Sequence, residues 1–342
     1  MASNNPMMSV SIAMCTWNSE RFLPELLESL HQQLQKPSEI IACDDGSSDR
    51  TLAILHEFGR ACNFPVRIIE NPTRLGPTKN FEKAISLCNA EFIALCDADD
   101  VWYPEKLYTL GEHLESHPGI DAVFCDADLI DSSSARIGGF LWQRARFNCG
   151  AAEGGGLLED RLLRSNVVSG CTMMIRSSAR SMITPIPGSW MHDGWIAWML
   201  VLRSRIHACD KRLMAYRIHP SQQVGLPGLS PFARLRHSLQ VGYREYTSLA
   251  DQFRDLLNYV RANRETFGDD ICNRIERRYD HSLFRAHLKP IGIGRWREIV
   301  RRRFEYVTYS GGWESMVKDA LRSTRVSLDE GSHELDVRQI DL

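Results

Sequence analysis

The sequence predicts an α/β fold in which a mostly parallel sheet carries helices on both faces and is followed by a C-terminal helical extension. Two observations support this prediction. Over the first 130 residues, short apolar runs alternate with amphipathic stretches of 10 to 13 residues, which is typical of βαβ units. Polar residues cluster directly after the apolar runs, where open parallel sheets bind their ligands. The 342 residues, of which 43% are hydrophobic, suffice for one sizeable α/β domain with an appended segment.

The predicted strands are short apolar runs of a length that suits a buried strand. They are Val10–Met14, Glu39–Cys43, Val66–Glu70, Phe92–Cys96, Ala122–Ile130 and, closing the sheet, Arg212–Ile218. The predicted helices have apolar side chains at helical spacing. They are Arg21–Gln33, Thr51–Cys62, Pro77–Cys88, Glu105–Ser116 and the buried helix Trp190–Leu202. The Ser- and Gly-rich stretch Asp131–Leu158 is predicted to form loops over the ligand edge.

The predicted domain organisation has three parts. Residues 1–226 form the α/β domain, residues 227–325 a helical C-terminal segment, and residues 326–342 an acidic, flexible tail. The boundary follows from Pro220–Pro231, which carries Pro, Gly and Ser and is typical of a linker. Beyond it, helical spacing predicts three helices, Phe232–Phe267, Asp270–His287 and Arg295–Tyr306.

Composition limits the partners and the compartment. A formal net charge of -2 and a pI of about 6.6 argue against nucleic acid as a partner. No two of the ten cysteines form a C-x-x-C pair, which favours buried thiols in a reducing cytoplasm over a disulfide framework. The polar start Met1–Met8 does not resemble a signal peptide, and no run approaches the roughly 20 apolar residues of a membrane-spanning helix. We therefore expect a cytoplasmic protein.

The strongest chemical signal is Asp97-Ala98-Asp99-Asp100, which directly follows a predicted strand. Three carboxylates within four residues repel one another unless a cation offsets their charge. A divalent metal, Mn²⁺ or Mg²⁺, would do so and would also hold substrate phosphates. The alternative is a solvated acidic turn at the start of the helix at Glu105. The position after an apolar strand and before Trp102 and Pro104 favours the metal site.

Three further segments carry candidate residues. Asp44–Asp49 follows another strand and is either a turn and helix cap or a carboxylate site for the N3–H of a pyrimidine base, and both can hold. Asp193, beside aromatic residues, is either the cap of the next helix or a general base that takes a proton from an acceptor hydroxyl. Arg217 and His219 alternate at the end of a strand, so they would reach the same side and could meet the metal or a diphosphate.

These motifs resemble those of the family 2 inverting glycosyltransferases, which have the GT-A (Rossmann-like) fold. They are most similar to bacterial rhamnosyltransferases of surface-polysaccharide assembly. The resemblance covers roughly Ser9 to Gly225, and its specificity lies in the order and spacing of several segments. These are Cys15–Asn18, Asp44–Asp49, Asn80–Ile85, Asp97–Leu107, His192–Trp195 and Tyr216–His219 with Gly225. The sequence departs from the rhamnosyltransferase pattern at two positions. That subfamily often has Gln where Ala98 stands and Trp where Gly194 stands.

The resemblance implies a role for each candidate residue. Asp45 would hold the base, Asp97 the ribose and Asp99 the metal that bridges the diphosphate. Asp193 would be the catalytic base. The implied metal ligands are Asp99, Asp100 and His219, and the remaining implied donor-binding residues are Thr16, Asn18, Gly76 and Lys79.

The predicted function is metal-dependent inverting transfer of a sugar, rhamnose or a related deoxyhexose from a dTDP donor, to a hydroxyl of a glycan or lipid-linked oligosaccharide. A nucleotidyltransferase is one alternative, but it would need a Gly-rich phosphate loop where Thr16-Trp17-Asn18-Ser19 stands. A non-catalytic sugar-nucleotide or polysaccharide-binding module is the other, and it would not need Asp193. Arg301-Arg302-Arg303, with Trp296, Phe304 and Tyr306 near it, could contact the inner membrane face peripherally or be a solvated helix face.

Overall fold

The computed structural model of the chain describes residues 8–149, 156–220 and 243–322. The chain divides into two compact units. The first comprises Met1–Glu159 and Val167–Arg217, and the second Asp160–Asn166 and Ile218–Leu342. The predicted domain boundary at residues 226 and 227, Gly225, and the predicted tail at 326–342 lie outside the described residues, so the predicted domain organisation stays a prediction.

The first unit contains all nine strands of the described chain, alternating at first with helices as predicted. Its first half comprises β1 (Val10–Thr16), α1 (Leu23–His31), β2 (Glu39–Asp44), α2 (Thr51–Ala61), β3 (Val66–Glu70), α3 (Pro77–Leu87) and β4 (Phe92–Asp97). There follow β5 (Val101–Trp102), α4 (Lys106–Ser116), β6 (Ala122–Ile130), β7 (Arg136–Phe140) and α5 (Leu141–Arg144). The last elements are α6 (Gly156–Arg164), of which residues 160–164 group with the second unit, β8 (Met173–Arg176), α7 (Arg180–Ile183), α8 (His192–Val201) and β9 (Ile206–Arg217).

The strands form one mixed sheet in the order β3-β2-β1-β4-β8-β6-β9-β5, with β7 paired to β6. β1 runs parallel to β2 and β4, β2 to β3, and β6 to β9, whereas β8 lies antiparallel between β4 and β6. This confirms the predicted fold class. The sequence did not predict β5, β7 or β8, and β9 begins six residues before the predicted strand Arg212–Ile218, where polar residues interrupt its apolar pattern.

Alternate side chains of β1 face opposite sides of the sheet. Val10, Ile12 and Met14 pack in one cluster with the buried leucines of α1 and α4. α3 contacts β1 and β2, but its buried side chains are not part of that cluster. Helices therefore cover both faces, and the core of the unit lies between them and the sheet.

The register of the parallel strands brings three polar loops together. Thr16 at the end of β1 pairs with Asp44 at the end of β2, and Cys15 pairs with Asp97 at the end of β4. Because the carboxyl ends of β1, β2 and β4 lie at one edge, the segments that follow them share that edge. This edge carries the candidate site.

The second unit is helical in its described part. It contains α9 (Tyr243–Ala262), α10 (Arg264–Ala286), α11 (Ile293–Arg301), α12 (Arg303–Tyr309) and α13 (Trp313–Leu321). Gly268, with φ of 77°, interrupts α10 close to the predicted gap between two helices. Arg285 is fully buried, and its guanidinium donates to Asp319 (2.8 Å) and to the Tyr246 hydroxyl (2.6 Å). None of the described helices has the length and apolar character needed to cross a bilayer.

The C-terminal helices α11 to α13 expose an unusual amount of apolar surface. Nine of the fifteen large apolar side chains exposed in the described residues lie within residues 291–321. They are Ile291, Ile293, Trp296, Val300, Phe304, Val307, Trp313, Val317 and Leu321, and we call them the C-terminal apolar set. The prediction that Tyr306 belongs to an exposed basic and aromatic patch is wrong, because Tyr306 is buried and its hydroxyl donates to Asp319 (2.6 Å).

Candidate functional site

The acidic loop after β4 lies at the ligand edge of the sheet. Asp97 is the last residue of β4, and Asp97 and Asp99 are half-buried, while Asp100 is buried. Oδ1 of Asp100 accepts the backbone N–H of Arg217 at 3.0 Å. Its Oδ2 is buried without a hydrogen-bond partner among the described residues. A buried carboxylate oxygen that lacks a partner is costly in free energy, so this atom is open to a cation.

The electrostatics of the loop point the same way. Burial, and then the charges of Asp99, Asp100 and Asp193, hold the pKa of Asp97 well above its usual range. Burial and the charge of Asp99 raise the pKa of Asp100 to about 7. Raised pKa values mean that the cations of the protein itself do not compensate these carboxylates. An external divalent cation would do so.

Two basic side chains of the chain nevertheless hold the loop in place, and the sequence did not identify the first of them. Lys106 begins α4 and is fully buried. Its Nζ donates to the carbonyl of Cys171 (2.6 Å) and lies 3.5 Å from the ring centroid of Trp102. Its charge partly lowers the pKa of Asp100. The sequence pattern that could have revealed its burial is the spacing of Lys106, Leu110 and Leu114, which places all three on the buried face of α4.

The second basic side chain is Arg217, the last residue of β9. Its guanidinium donates to the carbonyls of Asp99 (2.6 Å) and Asp131 (3.0 Å) and to the carboxylate of Glu25 (2.7 Å). The expectation that Arg217 meets the metal or the diphosphate is therefore wrong, because its donors are used by the backbone of the acidic loop and by Glu25. Its structural role is to fix where Asp99 and Asp100 stand.

The donor set of the loop fits a hard dication. Ligand atoms of Asp97, Asp100 and Cys171 lie within 4.8 Å of one another. Carboxylate oxygens suit Mg²⁺ and Mn²⁺, whereas a thiol does not, and burial keeps the pKa of Cys171 far above its usual range. The carboxylates of the acidic loop, and not Cys171, are therefore the residues that would hold the metal. Asp99 is not in this set of three, although its charge acts on both neighbours, and His219 is buried in the second unit.

Asp45 has its carboxylate oriented by the start of α3. Its oxygens accept the backbone N–H groups of Leu75 (2.7 Å) and Gly76 (2.8 Å) and the side-chain amide of Asn71 (3.0 Å). Gly76 has φ of 77°, which favours glycine at this turn into the helix. A carboxylate has about four acceptor positions, so one remains for a ligand N–H. The structure thus leaves the predicted base contact chemically open.

The basic side chain next to Asp45 also covers an aromatic ring, and the sequence did not single out this pair. The guanidinium of Arg74 lies 3.7 Å from the ring centroid of Trp17 and 4.0 Å from the Asp45 carboxylate. Trp17 is 37% exposed, so its ring offers a surface on which a nucleobase can stack. The signal was an exposed tryptophan directly after a buried strand.

The other predicted donor-binding residues have local structural partners. The buried Thr16 hydroxyl donates to Asp44 (2.8 Å), and Asn18 accepts the backbone N–H of Ser48 (2.8 Å). Both contacts hold the loop after β2. The amine of Lys79 donates to Glu82 (2.6 Å) and to the carbonyl of Ile186 (2.7 Å). For all three residues a contact with a donor stays a prediction.

Asp193 lies in the first turn of α8, where Met191 is the residue before the helix. The alternative role of Asp193 as the helix cap is therefore wrong. It is the one residue of α8 that is not buried, and its charge raises the pKa of Asp97. α3 fixes this segment, because the Thr78 hydroxyl donates to the carbonyl of Trp190 at 2.9 Å. The same helix that orients Asp45 thus also positions the loop of Asp193.

Comparison with known proteins gives one family. Residues 11–181, half of the chain, match the family model described as Glycosyl transferase family 2. The match contains Asp45, α3 and the acidic loop. Abequosyltransferase RfbV of Salmonella typhimurium is 31% identical over 121 residues, which is 35% of this chain. The chain spans 36% of that relative's own length and 40% of the length of mycobacterial relatives.

Two solved structures resemble the fold. The Staphylococcus aureus protein TarS 1–349 in complex with UDP-GlcNAc aligns with a TM-score of 0.58 and 17% identity over 92% of this chain and 90% of that chain. The mannosyltransferase PcManGT of Pyrobaculum calidifontis, in complex with GDP-Man and Mn²⁺, aligns with a TM-score of 0.51 and 13% identity over 91% of this chain and 84% of that chain. At these identities the likeness shows the fold alone.

Proposed function

Because the chain belongs to glycosyl transferase family 2, we propose that it is a metal-dependent inverting glycosyltransferase acting on a nucleotide-diphosphate sugar. The observation that carries this proposal is the acidic loop, in which Asp97 and Asp100 have raised pKa values and Asp100 keeps a buried oxygen without a partner. Asp45 follows β2, which only β1 separates from β4, and the charge of Asp193 acts on Asp97. These positions support the proposal that donor binding and transfer take place at one edge of the sheet.

The donor is bound along this edge. Asp45 accepts the N3–H of the base through its remaining acceptor position, while the base stacks on Trp17. Asp97 would hold the ribose, and Asp99 with Asp100 would hold Mn²⁺ or Mg²⁺. The bound dication supplies charge neutralisation of the departing nucleoside diphosphate. Thr16, Asn18, Gly76 and Lys79 shape the loops around the base and ribose, and His219 is a further candidate for contact with metal or phosphate.

Transfer itself is assigned to Asp193. Its carboxylate takes the proton of the acceptor hydroxyl as the hydroxyl oxygen attacks the anomeric carbon. The bond from that carbon to the diphosphate oxygen breaks on the opposite face, and the anomeric configuration inverts in one displacement.

We propose a 6-deoxyhexose, with dTDP-rhamnose first, as the donor. This proposal rests on the resemblance of the motif segments to rhamnosyltransferases. The relatives and structural neighbours are named for abequose, N-acetylglucosamine and mannose, so the sugar has to be decided by a donor screen.

The acceptor is proposed to be a glycan or lipid-linked oligosaccharide at the cytoplasmic face of a membrane. The C-terminal apolar set supports this, because exposed apolar side chains interleaved with exposed Arg297, Arg301 and Arg303 suit an anionic lipid surface. All ten cysteines are unbridged, which supports a reducing compartment. Residues 227–325 would then place the catalytic domain, residues 1–226, near a lipid-borne acceptor.

The alternatives are less well supported. A nucleotidyltransferase would use backbone N–H groups of a Gly-rich loop after β1 to grip phosphates. Here that segment contains no glycine, and Asn18 is bonded to the loop after β2. A non-catalytic binding module would bind the donor without needing Asp193. Donor affinity therefore does not distinguish it from an enzyme, whereas a measurement of sugar turnover does.

The test is a thermal-shift and donor-hydrolysis screen on the full chain. The donors are dTDP-rhamnose, UDP-GlcNAc, UDP-glucose and GDP-mannose, each with Mn²⁺, with Mg²⁺ and with chelator. We expect one donor to stabilise the protein only with metal and to be hydrolysed slowly. Asp99→Asn should lose both effects, whereas the control Asp210→Asn, an exposed aspartate of β9, should keep them. Metal-independent binding, or full activity of Asp99→Asn, would refute the proposed role of the acidic loop.

A further inference from the structure

Three histidines form a compact cluster in the first unit that the proposed function does not use. His113 and His117 lie near the end of α4, and His207 is the second residue of β9. Nε2 of His113 lies 3.3 Å from Nδ1 of His207, and one ring nitrogen of each histidine lies within 4.8 Å of the others. The rings of His113 and His117 stack with centroids 4.5 Å apart.

This arrangement has the features of a metal site. Residues four apart on a helix share one face, and a histidine pair at this spacing is a recurrent way of binding Zn²⁺. In a tetrahedral site with Zn–N bonds of about 2.0–2.1 Å, two ligand nitrogens lie about 3.3 Å apart. The distance between His113 Nε2 and His207 Nδ1 already matches that value. A small closing movement of His117 would complete a three-nitrogen face.

The tautomer of His117 also leaves one ring nitrogen able to bind a metal ion. Its Nδ1 lies 2.7 Å from the carbonyl oxygen of His113, so Nδ1–H donates to that oxygen and leaves the Nε2 lone pair open. His117 is exposed, which leaves access for the ion and for a water as fourth ligand.

The cluster is separate from the acidic loop. β4 and β6 both run antiparallel to β8, and β9 is parallel to β6, so β9 begins at the edge opposite the candidate site. Seven residues of α4 separate His113 from Lys106, about 10 Å of helix. Ten residues of β9 separate His207 from Arg217, about 33 Å of strand. A ligand at the histidines would therefore not be a ligand of the donor site.

We propose that His113, His117 and His207 form a Zn²⁺ site that fastens the end of α4 to the start of β9. Imidazole nitrogens favour Zn²⁺ over the hard cations Mg²⁺ and Mn²⁺, so the two metal sites of the chain would differ in the ion they take. α4 begins with Lys106 and β9 ends with Arg217, and both of these side chains hold the acidic loop in place. The ion thus stabilises the two elements that position that loop, without touching the donor.

The experiment is a calorimetric titration of the full chain with ZnCl₂, after removal of metal with chelator and without a polyhistidine tag. We expect a histidine-dependent binding event that His117→Gln or His207→Gln weakens at least about tenfold. His287→Gln is the matched control, because His287 makes the same contact to the carbonyl four residues before it, at 2.9 Å, but belongs to the other unit. MgCl₂ should give no histidine-dependent event, and Zn²⁺ should raise the Tm of the wild type but not of His117→Gln.

A second variant separates this site from the acidic loop, whose Cys171 and carboxylates could also take up Zn²⁺. The histidine-dependent event should persist in Asp100→Asn. The proposal is overturned if His117→Gln and His207→Gln, folded by circular dichroism, bind Zn²⁺ like the wild type. It is also overturned if the event disappears in Asp100→Asn instead.

Discussion

The backbone N–H of Arg217 donates to Oδ1 of Asp100 at 3.0 Å, and this bond links the end of β9 to the acidic loop. The guanidinium of the same residue holds the carbonyl of Asp99 at 2.6 Å. A residue from the far side of the sheet therefore sets both the main chain and one carboxylate of the proposed metal site. Positioning of this kind predicts effects on the metal that are larger than the effects on the fold.

Arg217→Lys should weaken metal activation while the protein stays folded. Lysine keeps the charge but cannot donate to Asp99, Asp131 and Glu25 at once, so the loop loses its fixed geometry. Loss of a residue that orients metal ligands costs about 10- to 100-fold in metal affinity. The measurement is the Mn²⁺ concentration for half-maximal donor hydrolysis. Arg212→Lys on the same strand is the control. An unchanged Mn²⁺ requirement in Arg217→Lys would show that the acidic loop does not depend on the guanidinium of Arg217.

Asp193→Asn should separate binding from chemistry. The amide cannot accept the proton of the acceptor hydroxyl, so transfer should fall by about 10²- to 10⁴-fold. Donor affinity should change little, because Asp193 acts on the acceptor side. The assay is nucleotide release with acceptor present, next to donor titration by calorimetry, with Asp210→Asn as control. Transfer within a few-fold of wild type would contradict the role of Asp193 as the base, whereas donor binding without any transfer by the wild type would favour the binding-module alternative.

Trp17→Leu should weaken nucleotide binding without preventing folding. Its exposed ring lies under the guanidinium of Arg74, which also lies 4.0 Å from the Asp45 carboxylate. Stacking of a base on an aromatic side chain contributes about 1–3 kcal/mol, so the Kd for dTDP or UDP should rise by about tenfold. Trp296→Leu, an exposed tryptophan of the second unit, is the control. Equal affinities in wild type and Trp17→Leu would place the base elsewhere.

The sequence predicted the βαβ half of the fold well, because each strand there is a short, mainly apolar run and each helix has clear periodicity. It failed where tertiary pairing decides. β5 has two residues and β8 four, too few to show a period, and no local pattern reports that β8 runs antiparallel to both of its neighbours, β4 and β6. β7 is fully exposed, so burial leaves no signal in its composition.

The sequence indicated the carboxylates of the candidate site, but it did not indicate the side chains that hold these carboxylates in place. Several acidic residues directly after a strand predict a cation site, because a cation is needed to offset their mutual repulsion. The buried cation Lys106 looks in sequence like a surface lysine, and only the apolar spacing of α4 reveals its face. Arg217 and Cys171 reach the loop from elements distant in the chain, and no local pattern reports such contacts.

The stability of the second unit should depend on pH through His281. This ring is fully buried, and burial lowers its pKa to about 4. Between pH 6.5 and 4 the unfolded chain binds the proton and the folded chain does not, so stability falls as pH falls in this window. The loss should reach about 2 kcal/mol at pH 5. Urea denaturation at pH 7.5 and pH 5 measures it. His281→Gln should lack this part of the pH dependence, and the exposed His287→Gln should retain it.

Replacing two members of the C-terminal apolar set should weaken membrane binding. Phe304 and Trp313 are 70% and 71% exposed, and Arg301 and Arg303 stand near them in the chain, so they would enter an anionic lipid surface together with favourable charge contacts. We expect the wild type to co-sediment with vesicles of phosphatidylcholine and phosphatidylglycerol and less with phosphatidylcholine alone. The double variant Phe304→Ser, Trp313→Ser should lose most of this binding and keep its activity on a soluble acceptor. Tyr108→Ser, which removes an exposed aromatic side chain from α4, should bind like the wild type. If all three proteins sediment equally, the C-terminal apolar set does not serve the membrane, and a protein partner becomes the better explanation of its exposure.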